Sequence, residues 1–105
     1  MKSPLASRPI LAVKPNGERL AVVLTIGHPY EVTPEEWAIS VAMSGLHGRL
    51  GDLHGIDAWQ VVLLAYRFVA QLLGHFVNEG GKLYWPETEE PMELEALLPG
   101  FNSKK

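Results

Sequence analysis

Two aliphatic and β-branched runs, residues 9–14 and 19–27, flank Lys14-Pro15-Asn16-Gly17-Glu18, where Asn-Gly supplies the positive φ angles of a tight turn. The pattern predicts a β-hairpin. In the second run Leu20, Val22, Leu24 and Ile26 share one face and Arg19, Ala21, Val23 and Thr25 the other, because strand side chains alternate. The first set is the expected core face. A loop through Gly27-His28-Pro29-Tyr30 and Thr33-Pro34 leads to a third strand, in which Trp37, Ile39, Val41 and Met43 alternate with the small residues Ala38, Ser40 and Ala42. Gly45, Gly48, Gly51 and Gly55 then punctuate a segment with room for a short, irregular fourth strand around residues 49–53.

Asp57, followed three residues later by Gln60, has the form of a capping box, so a long helix is expected to begin near Ala58. At about 100° per residue, Gln60, Leu64, Arg67, Gln71, Gly74, His75 and Asn78 fall in one wedge, and the rest of the circumference is apolar. Ala58, Val62, Ala65, Val69, Leu73 and Phe76 are expected to face the sheet. Trp59, Tyr66, Ala70 and Val77 on one flank, and Val61, Phe68 and Leu72 on the other, also require cover. Either the C-terminal segment wraps over a flank or a second protein does. Gly80-Gly81 ends the helix, Lys82-Leu83-Tyr84-Trp85 reads as a short returning strand, and an acidic tail follows. The fold class is therefore α+β: an antiparallel sheet of three to five strands, order βββ(β)αβ, with one long helix packed on one face. A single domain spans 1–105, with 1–8 and 100–105 expected to be flexible.

Composition narrows the function. Across 105 residues, 9 Lys+Arg stand against 12 Asp+Glu, a formal charge of −3, with 47% hydrophobic and 20% charged residues. This is the balance of a folded globular domain. No basic stripe is available for counterion release, so nucleic acid is not an expected partner. The absence of cysteine removes disulfides and thiol chemistry. The N-terminus has no apolar core of a signal peptide, and Gln60, Arg67, Gln71, Gly74 and His75 interrupt the long apolar stretch, so a cytoplasmic protein without membrane association is expected.

Candidate chemistry is sparse. His47 and His54 flank Asp52 in the glycine-rich segment, but solvent-facing loop histidines explain them more simply than a metal site, and no metal or cofactor is expected. The carboxylates fall before a strand (Glu35, Glu36), at a helix cap (Asp57) or in the tail, rather than as an opposed acid–base pair. No nucleophile elbow, phosphate-binding loop, dinucleotide fingerprint or zinc-protease motif occurs, and no enzymatic activity is expected. Two surfaces remain as binding faces. One is the small-residue sheet face of Ala21, Val23, Ala38, Ser40 and Ala42, open or covered by the tail. The other is the acidic tail, where Met92, Leu94, Leu97 and Leu98 anchor a short helical turn while glutamates stay wet.

From about residue 8 to residue 85 the order of Asn16-Gly17, Trp37, Gly55-Ile56-Asp57-Ala58-Trp59-Gln60 and Gly81-Lys82-Leu83-Tyr84-Trp85 resembles a family of small bacterial α+β domains. Its members share a turn-bearing hairpin, a strand opening with Trp, a Gly-x-Asp-x-x-Gln helix start and a Gly-x-Leu-x-Trp strand. Where that family tends to read Ser-Leu between Asp and Gln, this chain has Ala58-Trp59. The resemblance supplies no catalytic residue. It implies an analogy with immunity proteins, acidic binders that neutralise co-encoded toxins. The leading expectation is thus a protein-binding module of immunity type, with Asp52, Arg67, Gln71, His75, Glu87, Glu89, Glu90 and Glu93 as partner contacts. The alternatives are a homodimer burying Trp59, Tyr66 or Phe68, and a small-ligand domain with a pocket among Trp37, Trp59 and Trp85 carrying His47, Asp52 and His54.

Overall fold

A computed structural model describes residues 3–100, apart from the Arg49 side chain. The Asn-Gly turn forms as expected. Gly17 holds φ +92°, its N–H donates to the Lys14 carbonyl at 2.8 Å, and the Asn16 side chain accepts from the Glu18 N–H at 2.9 Å. This turn sets the register of β1 (Ala6–Val13) on β2 (Arg19–Ile26), from Ala6 opposite Ile26 to Val13 opposite Arg19.

β3 (Tyr30–Thr33) and β4 (Glu36–Ser44) follow. β4 pairs with β3 through Glu36, Trp37 and Ala38, and with β2 from Val41 to Ser44. Between the two stretches the Gly27 N–H donates to the Ser40 carbonyl at 2.9 Å. β2 and β3 are therefore one bent strand along a single edge of β4, interrupted at Gly27-His28-Pro29, where proline lacks an N–H to give. β5 (Gly48–Gly55) lies on the opposite edge of β4, since Trp37, Ala38 and Met43 have partners on both sides. β6 (Lys82–Tyr84) pairs with β1.

The sheet thus has six antiparallel strands rather than three to five. Residues 30–33, expected as loop, are extended because the turn is confined to Pro34-Glu35. The glycine segment makes an eight-residue strand rather than a fragment. Gly51 at φ +88° accommodates a bulge opposite Ser40 to Ala42, a conformation open to glycine at no steric cost.

α1 (Ala58–Asn78) starts on the expected cap: Asp57 Oδ1 accepts the Gln60 N–H at 2.8 Å. The Gln60 side chain reaches one residue beyond the cap, accepting the Ile56 N–H at 2.8 Å. At the other end the Gly80 N–H donates to the Val77 carbonyl and the Gly81 N–H to the Phe76 carbonyl, both at 3.0 Å, with Gly80 at φ +101°. This is a Schellman termination, which requires the left-handed residue that glycine supplies.

α1 lies across the face formed by Ile10, Val22, Leu24, Ile39, Val41 and Met43. Of the residues expected to meet the sheet, Ala65, Val69 and Leu73 are buried, whereas Ala58, Val62 and Phe76 are half-buried. Val61 and Ala70, assigned to opposite flanks, are buried instead. By length and composition α1 is apolar enough to cross a membrane; in this fold Val61, Ala65, Val69, Ala70 and Leu73 of α1 are buried.

The tail accounts for the Ala70 flank. Met92, Leu94 and Leu98 are buried in the same core, Leu94 and Leu98 at the ends of the short α2 (Leu94–Leu97), and the Tyr66 hydroxyl donates to the Pro99 carbonyl at 2.6 Å. The tail therefore packs on the helix side and leaves the small-residue sheet face without cover from it. At the N-terminus, Ala6, Ser7 and Arg8 belong to β1 and the Leu5 N–H donates to the Ile26 carbonyl at 2.8 Å. Residues 1–2 and 101–105 lie outside the described residues.

Candidate functional site

Because the tail covers only the C-terminal half of one helix flank, the N-terminal half stays open. Trp59 is 76% exposed, Ile56 66% and Leu63 47%, with Leu64 also exposed. Trp59 and Leu63 are one turn apart and form an exposed apolar ridge; Leu64 lies beyond Arg67 around the helix, and Ile56 precedes the cap. On the same helical projection Arg67 falls between Leu63 and Leu64.

Across Arg67 from this ridge lies a groove of about 290 Å³ between α1 and β5, lined by Leu53, His54, Leu64, Arg67, Phe68 and Gln71. Leu53 stands opposite Ile39 and so faces the helix layer, forming the floor with Leu64 and Phe68. Arg67 and Gln71 form the rim, both exposed. Among the described residues Arg67 has no hydrogen-bond or ion-pair partner, whereas Arg8 is paired with Glu87 at 3.3 Å and Arg19 with Glu89 at 3.0 Å.

The other sheet face carries a polar array. Tyr30 is opposite Ala38, His54 is opposite Ala38 from the far edge, and Asp52 is opposite Ser40. The Tyr30 hydroxyl hydrogen-bonds Asp52, so the phenol crosses β4, and Ala38 is fully buried outside the main core. His54 Nδ1 lies 2.7 Å from Glu36 Oε2. These groups satisfy one another on an exposed surface, and no group of three metal-ligating side chains is assembled among the described residues.

The residues singled out in the sequence do not form one site. Arg67 and Gln71 meet in the groove; His75 is one turn further along α1, 3.9 Å from Glu79. Asp52 is on the opposite sheet face, bonded to Tyr30. Glu87 and Glu89 hold arginines of β1 and β2, while Glu90 and Glu93 are exposed. The pocket envisaged among the three tryptophans is not formed. Trp59 points to solvent, Asp52 is held by Tyr30 and the His54 ring by Glu36, and Trp85 stacks under the Arg8 guanidinium, 4.7 Å from its ring centre, beside β1. The sequence reading missed Ile56, Leu63 and the open edge of β5. The signal for Leu63 was present in the apolar excess of the helix, but periodicity does not say which part of a flank the tail reaches. No family model, curated protein or solved structure matches the chain.

Proposed function

We propose that this chain is a protein-binding module whose working surface is the exposed apolar start of α1, centred on Trp59 and Leu63. The observation that carries the reading is Trp59, left 76% exposed at the centre of an apolar strip. A tryptophan removes about 150–250 Å² from water when covered. At about 25 cal/mol per Å² that is roughly 4–6 kcal/mol before ordering costs, an upper bound. Tryptophan is also over-represented among the residues that dominate binding energies.

The narrower form of the reading is an immunity-type inhibitor that covers a toxin domain, which rests on the sequence resemblance. Tail glutamates are secondary contacts in this reading, because Glu87 and Glu89 are engaged with Arg8 and Arg19. The test is to express the products of neighbouring genes singly and with this chain. Growth arrest by one product, relieved by the wild-type chain and not by Trp59→Ala with Leu63→Ala, is the expected result. Relief that is unchanged in the double variant overturns the ridge. A neighbour that arrests growth regardless of this chain overturns the inhibitor reading, and a dimer by light scattering that dissociates in the double variant replaces it with self-association.

A further inference from the structure

Besides β3 and the Ala6–Ile10 stretch of β1, which each pair on one side, the sheet ends in β6 and β5, and these two ends are treated differently. Along β6 the tail returns as a partial strand: the Met92 N–H donates to the Leu83 carbonyl and the Trp85 N–H to the Glu90 carbonyl, both at 2.9 Å, and Tyr84 bridges Pro91. That edge is closed, with a proline on it. Along β5 the only strand partner among the described residues is β4, so the outer edge of Leu53–Gly55 has no strand beside it among them. Uncovered edges are templates for pairing with another chain, and proteins normally blunt them. The bulge at Gly51 blunts the first half of β5; the second half pairs regularly with β4 from Trp37 to Ser40.

This open half-edge runs beside the groove floored by Leu53, Leu64 and Phe68, with Arg67 unpartnered on its rim. We infer that β5 is extended by an incoming strand: an extended segment of a partner protein that adds antiparallel to Leu53–Gly55, places alternate apolar side chains into the groove, and sets a carboxylate against Arg67. The inference rests on the protein-binding reading and specifies how the partner approaches. Strand addition combines main-chain hydrogen bonds for affinity with pockets for alternate side chains for selectivity, and both parts are present here. Arg67 fixes the charge, because a cation without a partner on an otherwise acidic chain is complementary to an acidic group. A second copy of this chain fits less well. The residues of β5 that would point into the groove alternate Gly51, Leu53 and Gly55, a single apolar side chain between two glycines.

The test uses the full chain and a blocked six-residue peptide of alternating valine and threonine with one glutamate. Two further versions carry N-methyl groups on one or the other alternate set of backbone nitrogens. The expected result is saturable binding with amide shifts confined to β5 and the groove, abolished by one N-methylated set and unaffected by the other. Arg67→Glu is expected to weaken the glutamate peptide about tenfold and to reverse the preference toward a lysine version. Both N-methylated peptides binding alike overturns strand addition. No peptide binding, with a Trp59-dependent complex intact, overturns the inference and leaves the binding reading standing. Concentration-dependent dimerisation that protects the β5 amides also overturns it, in favour of a second copy.

Discussion

Trp59 and Leu73 sit on one helix and differ in everything that decides the cost of removing them. Leu73 is fully buried between α1 and the sheet, so Leu73→Ala is expected to lower unfolding free energy by about 2–5 kcal/mol through lost burial and the cavity left behind. Trp59→Ala is expected to change it by less than about 0.5 kcal/mol, because little of the side chain leaves water on folding. Chemical denaturation of the two variants checks the pair, and a large loss for Trp59→Ala would mean that the indole is packed in solution. Gly81 offers a third residue-scale contrast. A Cβ there would drive into the Phe76 ring, so Gly81→Ala is expected to cost about 1–3 kcal/mol through overpacking at the helix terminus, read by the same denaturation. The sequence placed Gly81 at the helix end through the Gly-Gly pair. It did not reveal the aromatic ring against it, since that contact depends on how the Schellman turn folds back.

At the scale of elements, the hairpin and α1 were legible because each carries a local chemical signal: Asn-Gly at the turn, Asp57 at the cap, glycine at the stop. β3 was not, since Tyr30 to Thr33 is four residues long, lies between Pro29 and Pro34, is exposed throughout and is extended by continuing β2 along β4. β5 was legible as a fragment. Its glycines suggested irregularity, and only the pairing with both halves of β4 shows that they absorb a bulge within a longer strand. The two sheet edges make a prediction that belongs to this scale. Amide exchange in the free chain is expected to be slow throughout Val23–Ile26 of β2, which is paired on both edges, and to alternate along Leu53–Gly55, which has a strand partner on one edge only among the described residues. Uniform protection across Leu53–Gly55, by hydrogen exchange monitored residue by residue, would show that the edge is already occupied in solution.

For the whole molecule, the question is what fixes the tail, because the tail decides which part of α1 remains a surface. Its acidic sequence invites an electrostatic answer, and two of its glutamates do hold arginines on β1 and β2. Those pairs are exposed on both sides, where ion pairs contribute about 0–1 kcal/mol and weaken with salt. Met92, Leu94 and Leu98, in contrast, are buried in the common core. The sequence offered these residues as anchors by spacing alone; the direction in which the tail turns was not readable, since the helix flank and the small-residue sheet face were both apolar enough to receive it. Burial is therefore expected to dominate. Arg8→Gln with Arg19→Gln should lower stability by no more than about 1–2 kcal/mol, whereas Met92→Ala with Leu98→Ala should lower it by about 4–10 kcal/mol, the sum of two buried truncations. The apolar pair should also release the tail from Tyr66 and Ala70, so a hydrophobic dye is expected to bind that variant strongly while the charge pair leaves dye binding unchanged. If high salt or the charge pair frees the tail and the apolar pair does not, electrostatics hold it. The exposed ridge at Trp59 would then widen and narrow with ionic strength, and partner binding would have to be measured as a function of salt before any single surface could be assigned to it.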